Sequence, residues 1–378
     1  MRVLCFSRLF PSPGAPNFAP FNLQQFQLLA RSLEVEVVCP VGLPMLAKRR
    51  FGGNTAAPDL GGLKVDYPTF FYTPGLFHRH HGDMLYRSVA RKLHGAIARF
   101  RPDLIYATWA YPDTYAASRM AEETGLPIVA KVHGSDIHSV AKPLLPLSVA
   151  GLNRCAAVVS VSRQLADMAV RAGVDSTKIH TIYNGVRHER FFPADRDECR
   201  QRLGLDLGDR IVLYVGNLVP VKRVSLIISA FGQVKAARKR LILVGSGPLA
   251  SDLRSQAEQE ELPVTFKGTR SHAELALWMN AADLLVLFSE REGVPNVVLE
   301  AMACGTPVVV SSAGGIPEVV KTPDCGEIVA TSDVDDLAGA MDRVLEVGRD
   351  RDVIVRHARQ FSWEANISQL IEVFSKTV

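Results

Sequence analysis

The chain has 378 residues, 47% of them hydrophobic and 22% charged, with a net charge of +4. That is length and apolar content for two domains, each with its own core, and it excludes a disordered chain. Six cysteines, Cys5, Cys39, Cys155, Cys199, Cys304 and Cys325, show no metal or redox spacing, so a reduced, cytoplasmic protein without a bound metal is expected.

Residues 2–6 read as a first strand, and the apolar run ends at Ser7 and Arg8, too early for a signal-peptide core. The loop from Ser7 to Pro16, with Gly14 among prolines, follows that strand and leads to a helix over 21–33. In an open α/β sheet such a loop faces the ligand crevice. A second strand is predicted over 35–39. The segment 43–59 is rich in Gly, Ala and Pro and carries Lys48-Arg49-Arg50, which reads as a solvated loop or as a contact for anionic lipid or an acidic acceptor. His78, His80 and His81 have no partners at ligand spacing and read as a polar loop. Leu85, Val89, Leu93, Ile97 and Phe100 form one helical stripe flanked by Arg87, Arg91, Lys92, Arg99 and Arg101. The stripe is expected to pack on the sheet and leave the arginines outside, because 102–106 supplies the next strand. A strand over 128–132 delivers His133 to its C-terminal end, followed by Gly134-Ser135-Asp136. Strands over 157–161 and 178–182, with a helix over 163–172 between them, complete the first half.

Tyr183-Asn184-Gly185-Val186 is a turn-rich crossing. Residues 211–216 form a strand ending in Gly216, followed by Asn217, Lys222 and Arg223. Residues 241–244 then Gly245-Ser246-Gly247-Pro248 fit a dinucleotide fingerprint only formally. The next strand, 264–266, ends in Lys267-Gly268 where that fingerprint expects an acid, so NAD is not expected. Asp333-Val334-Asp335 imitates a metal motif but reads as the cap of a helix over 336–345. The tail from 361 to 374 is amphipathic. Charge is shared unevenly: residues 1–190 carry 22 Lys and Arg against 13 Asp and Glu, or +9, and the remainder 21 against 26, or −5. A basic first half points to an anionic partner.

The most informative stretch runs from the buried strand 284–288 through Glu292-Gly293-Val294-Pro295-Asn296-Val297-Val298-Leu299-Glu300 to Gly305. Pro295 and Gly305 mark the start and stop of a helix. The free amides of Asn296, Val297 and Val298, with the positive end of the helix dipole, would hold a phosphate. Glu292 and Glu300 flank it, and carboxylates there suit hydroxyl donors on either side of the phosphate. A ligand with phosphate in the middle and hydroxyls on both sides is a nucleotide sugar.

With Ala301-Met302-Ala303, Pro307-Val308-Val309, His133-Gly134-Ser135-Asp136, Asn184-Gly185-Val186, Gly245-Ser246-Gly247-Pro248 and Gly314-Gly315-Ile316-Pro317-Glu318 in order, the chain resembles the family 4 retaining glycosyltransferases. The resemblance implies an α/β protein of the GT-B fold, two Rossmann-like domains facing across a central cleft and closing over the donor. The domains would be 1–185, acceptor-binding, joined by a returning C-terminal helix over 361–378, and 186–360, donor-binding. It implies His133, Lys222 and Glu292 at the reacting centre. Donor contacts would come from Gly14, Gly216, Asn217, Lys222, Arg223, Gly247, Lys267, Glu292, Gly293, Val294, Pro295, Asn296, Val297 and Glu300, and acceptor or loop contact from Asp136. The family places an arginine where Asn217 stands and often a glycine where Arg223 stands, so Arg223 is a candidate to restore the missing charge.

The expected activity is therefore metal-independent transfer of a sugar from a UDP- or GDP-sugar to an acceptor hydroxyl, with retention and with no cofactor. A lipid-linked glycan intermediate in surface polysaccharide synthesis is the expected acceptor, met at the inner face of the membrane, and a small soluble acceptor is the alternative. No nucleic acid partner is implied. A glycosidase would also use two carboxylates but has no use for the phosphate site. An epimerase of the same fold and a non-catalytic homologue are the other rivals.

Overall fold

A computed structural model describes residues 1–16, 18–43, 58–138 and 141–378. The chain forms two compact units, Met1–Tyr183 with Asn366–Val378, and Asn184–Ala365. Lys48-Arg49-Arg50 lies outside the described residues.

The first unit is built on β1 (Arg2–Phe6), β2 (Glu34–Val38), the short pair β3 (Val41–Gly42) and β5 (Thr69–Phe70), β4 (Lys64–Asp66), β6 (Leu104–Thr108), β7 (Ile128–Val132), β8 (Ala157–Ser160) and β9 (Ile179–Thr181). The main sheet runs β4-β2-β1-β6-β7-β8-β9, parallel throughout. β6 and β7 are buried along their whole length, as strands covered on both faces must be. Alternation sorts each strand between two cores: Leu4 and Phe6 face one, Val3 and Cys5 the other.

The first core is closed by the helix His81–Phe100 through Leu85, Val89, Leu93 and Ala96. Arg87, Arg91 and Lys92 stay exposed, and Arg99 pairs with Glu36 at 2.7 Å and Asp66 at 3.2 Å. The second core is closed by the helix Pro20–Leu29 and by the C-terminal helix Trp363–Thr377. The helix predicted over 21–33 is shorter, ending where the amides of Ser32 and Leu33 turn back to the Leu29 carbonyl. From the C-terminal helix, Ile367, Leu370, Val373 and Phe374 enter this core, and the Phe374 ring meets Tyr106 edge-on at 5.2 Å.

The second unit has β10 (Arg210–Val215), β11 (Lys239–Val244), β12 (Val264–Gly268), β13 (Leu284–Leu287), β14 (Val308–Ser311) and β15 (Gly326–Val329) in the parallel order β12-β11-β10-β13-β14-β15. Strand order reverses between β10 and β13, which makes the loops after these two strands the place where such a sheet binds ligands. In the first unit the reversal falls between β1 and β6. Asp333 caps the helix Val334–Val347 with its carboxylate on the amides of Asp335 and Asp336, as expected for a capping residue. No helix among the described residues is long and apolar enough to cross a membrane.

Candidate active site

In the second unit the loops after β10 and β13 are laced together. The Glu290 amide donates to the Val221 carbonyl at 2.8 Å, and Ser311 Oγ holds the Ser289 carbonyl at 2.7 Å. This brings Lys222, at the end of a short turn Pro220–Lys222, onto Glu292, 70 residues away in sequence. The Lys222 ammonium and the Ser289 hydroxyl share Glu292 Oε1. Oε2 has no partner among the described residues. From behind, Gly314 (φ 61) approaches so closely that a Cβ there would lie 1.9 Å from the Glu292 carbonyl oxygen, and the Gly315 amide donates to the Gly293 carbonyl at 2.7 Å. Gly314 is thus glycine because it braces the Glu292 loop.

The helix Asn296–Ala303 begins directly after this loop, with Val294 and Pro295 buried beneath it. Two details correct the sequence reading. Pro295 is the capping residue, outside the helix, with ψ at 120°. The Val298 amide is taken by the Pro295 carbonyl at 3.1 Å, so only the amides of Asn296 and Val297 lack a partner among the described residues. Asn296 is steadied by Asn184, whose side-chain amide reaches its Oδ1 at 3.3 Å. The side chain of Glu300, a turn further on, makes no hydrogen bond or ion pair among the described residues, and burial pushes its carboxyl up to about 7, opposed by the Arg190 charge.

Gly216 and Gly247 serve backbone packing. A Cβ on Gly216 would lie 2.8 Å from the Tyr214 hydroxyl, and one on Gly247 2.3 Å from the Leu218 carbonyl. Asn217 is exposed, and its carbonyl accepts from Tyr214 at 2.9 Å. Arg223 adopts a left-handed backbone (φ 48), which is why glycine would suit this position. Its guanidinium, the candidate replacement for the missing charge, is instead tied to Ser332 Oγ at 2.7 Å and lies 3.9 Å from Glu290. Lys267 is skipped in the pairing of β11 with β12, where Leu243 opposes Phe266 and Val244 opposes Gly268, and its ammonium sits 5.3 Å over the Trp278 ring. No three His, Cys, Asp or Glu side chains converge as a metal site among the described residues.

In the first unit His133 stands just past β7, its ring 5.1 Å from Phe21 and 6.4 Å from Trp109. Its Nε2 is enclosed without a hydrogen-bond partner among the described residues. Burial, and then the Lys131 charge, hold the imidazole well below its usual value, so it is neutral at physiological pH. Asp136 makes the loop contacts expected of it. Its buried carboxylate accepts the amides of His133 (3.0 Å), Gly134 (2.9 Å) and Ala110 (3.1 Å), because buried loops past the C-terminal ends of β6 and β7 leave amides that need an inward acceptor. Gly14 lies in a tight turn, donating to the Ser12 carbonyl at 2.7 Å. Arg8, Asp113, Arg190 and Ser289 were not singled out in the sequence. Arg8 bonds the buried Asp113 through Nε at 3.0 Å and borders a cavity of about 190 Å³ with Ser12, Phe18 and Tyr72 at the ends of β1 and β2.

Residues 26–190 match the model of Glycosyltransferase Family 4, and residues 195–361 that of Glycosyl transferases group 1. The chain belongs to glycosyltransferase family 4. Among family relatives, the D-inositol 3-phosphate glycosyltransferases of Mycobacterium tuberculosis and Mycobacterium bovis are 33% identical over 220 residues, 54% of this chain. The chain spans about half the length of these curated relatives, 45%. The crystal structure of Anabaena Alr3699/HepE in complex with UDP superposes with a TM-score of 0.80 at 22% identity, covering 100% of both chains. Sucrose-phosphate synthase from Thermosynechococcus elongatus gives 0.78 at 21% identity, covering 99% of this chain and 98% of that one. These likenesses establish the GT-B fold.

Proposed function

We propose that the protein transfers a sugar from a nucleoside diphosphate sugar to an acceptor hydroxyl, with retention at the anomeric carbon and without a metal ion. One arrangement carries the reading: Lys222 joined to Glu292 beside a helix start with two unpartnered amides, and Glu300 unpartnered a turn beyond. The amides and Lys222 would stabilise the charge that develops on the diphosphate, the task a metal performs elsewhere. Glu292 Oε2 would take sugar hydroxyls and Glu300 the ribose. UDP is the favoured nucleotide, since structural neighbours were solved with UDP and UDP-glucose. GDP is the alternative.

The acceptor we favour is a lipid-linked glycan intermediate. Phe71, Leu76 and Phe77 are exposed in the first unit, beside Arg79 and ahead of Arg87, Arg91 and Lys92, a mixture suited to an anionic membrane surface. Salt-sensitive binding to anionic vesicles is expected, and equal binding to neutral ones would count against it.

The first measurement is the melting temperature with UDP, GDP, ADP and their sugars in chelator, with Glu300→Ala as control. A rise with one nucleotide, lost in the variant, supports the donor assignment. No rise with any of them points to a non-catalytic homologue. Once a product is in hand, its anomeric configuration by NMR tests retention.

A further inference from the structure

We propose that the second unit carries a phosphate-binding site at the end of its sheet opposite the donor loops. A cavity of about 460 Å³ there is lined by the arginines Arg196, Arg210, Arg349 and Arg351 and by the carboxylates Asp195, Asp197 and Asp283, among others. Arg210 opens β10 and Asp283 precedes β13, so the cavity lies at the N-terminal ends of the strands whose far ends carry the Asn217 and Ser289 loops. At ~3.3 Å per residue, β10 separates the two places by about 20 Å.

The charges in this cavity are unbalanced. Asp283 is buried and already accepts from Arg196 (3.1 Å), Arg200 (2.7 Å) and the Ile211 amide (2.6 Å), with Arg210 at 3.8 Å. Asp195 caps a helix by accepting the Glu198 amide. Arg351 donates to neutral oxygens, Asn280 Oδ1 and the Cys304 carbonyl, both at 2.8 Å. Arg349 reaches Glu327 only at 3.7 Å, and Glu327 already grips Arg343 at 2.8 Å.

The Nε atoms of Arg196 and Arg349 are enclosed with no hydrogen-bond partner among the described residues. Burial, opposed by Asp283 and reinforced by Arg351, Arg200 and Arg210, holds the Arg196 guanidinium below its usual value. A scaffold of ion pairs around Asp283 accounts for Arg200, which is buried and fully bonded. It does not account for Arg349 or for the two orphaned donors. Buried donors without acceptors are unfavourable, and so are like charges held together. A tetrahedral anion in the cavity relieves the crowding of like charge, and the guanidinium forks match its geometry. The volume admits free phosphate or a small phosphomonoester.

Isothermal titration of the full chain with inorganic phosphate and with glycerol 3-phosphate, at ionic strength fixed by chloride, tests the site. Saturable binding is expected, weakened at least tenfold in Arg349→Gln and retained in Lys222→Ala, whose lesion lies in the donor loops. Tighter binding of glycerol 3-phosphate identifies a phosphomonoester site, and equal binding a site for free phosphate. No heat above the chloride control, or equal affinity in Arg349→Gln, overturns the proposal. So does a response lost in Lys222→Ala and kept in Arg349→Gln. Should Arg349→Gln fail to fold, Arg210→Gln, at a half-exposed side chain, replaces it.

Discussion

Glu300 holds a carboxyl raised to about 7 with no protein partner among the described residues. A hydroxyl donates best to the ionised form, so nucleotide affinity should rise between pH 6 and 8 and become flat in Glu300→Gln. The same shift acts on stability. The folded state binds more protons than the unfolded one between about 4.5 and 7, so this group lowers stability as pH rises through that window. Glu300→Gln should therefore gain melting temperature relative to wild type as pH climbs from 4.5 to 7, and no further above it. Lys131 is the opposite case: burial depresses its ammonium to about 7, so the folded state binds fewer protons between 7 and about 10.4. Lys131→Met should melt higher than wild type at pH 7, with the difference shrinking as pH rises toward 10. Neither residue's protonation behaviour was legible in the sequence, because desolvation depends on what the rest of the chain places around a side chain.

At the scale of an element, the Gly314 turn and the Glu292 loop form one bracing unit. Gly314→Ala brings a Cβ against the Glu292 carbonyl, whereas Gly348, also at positive φ (64), has open space around it. Gly348→Ala should cost only the backbone strain of a φ 64, ψ 162 conformation, about 1–3 kcal/mol. Gly314→Ala should cost clearly more and weaken nucleotide binding as well, since the loop carrying Glu292 must move. Urea denaturation and nucleotide titration of the two variants check this. The glycines after β10 and β11 teach a related point. They were expected to approach a ligand, and the structure shows Gly247 pressed against the Leu218 carbonyl and Gly216 against the Tyr214 hydroxyl. Composition shows that a close approach occurs there, and only packing shows what is approached.

Across the whole molecule, the C-terminal helix completes a core of the first unit after the chain has built the second. Phe374 is fully buried against Tyr106, so Phe374→Ala should destabilise the first unit by about 3–5 kcal/mol, read by denaturation of the full chain. Much of this architecture was legible in advance. The strands Arg2–Phe6 and Ile128–Val132 and the cap at Asp333 rest on local apolar runs and capping chemistry, which adjacent residues carry by themselves. The glutamate pair and the helix start it flanks were legible for the same reason, being one continuous segment. What the tertiary structure alone decided were the partners: Lys222 on Glu292, Arg223 on Ser332, and Arg196, Arg200 and Arg210 on Asp283. Hydrogen bonds and ion pairs act over a few ångströms in space, and residues 70 or more apart in sequence come within that range only when the sheets have set their loops side by side.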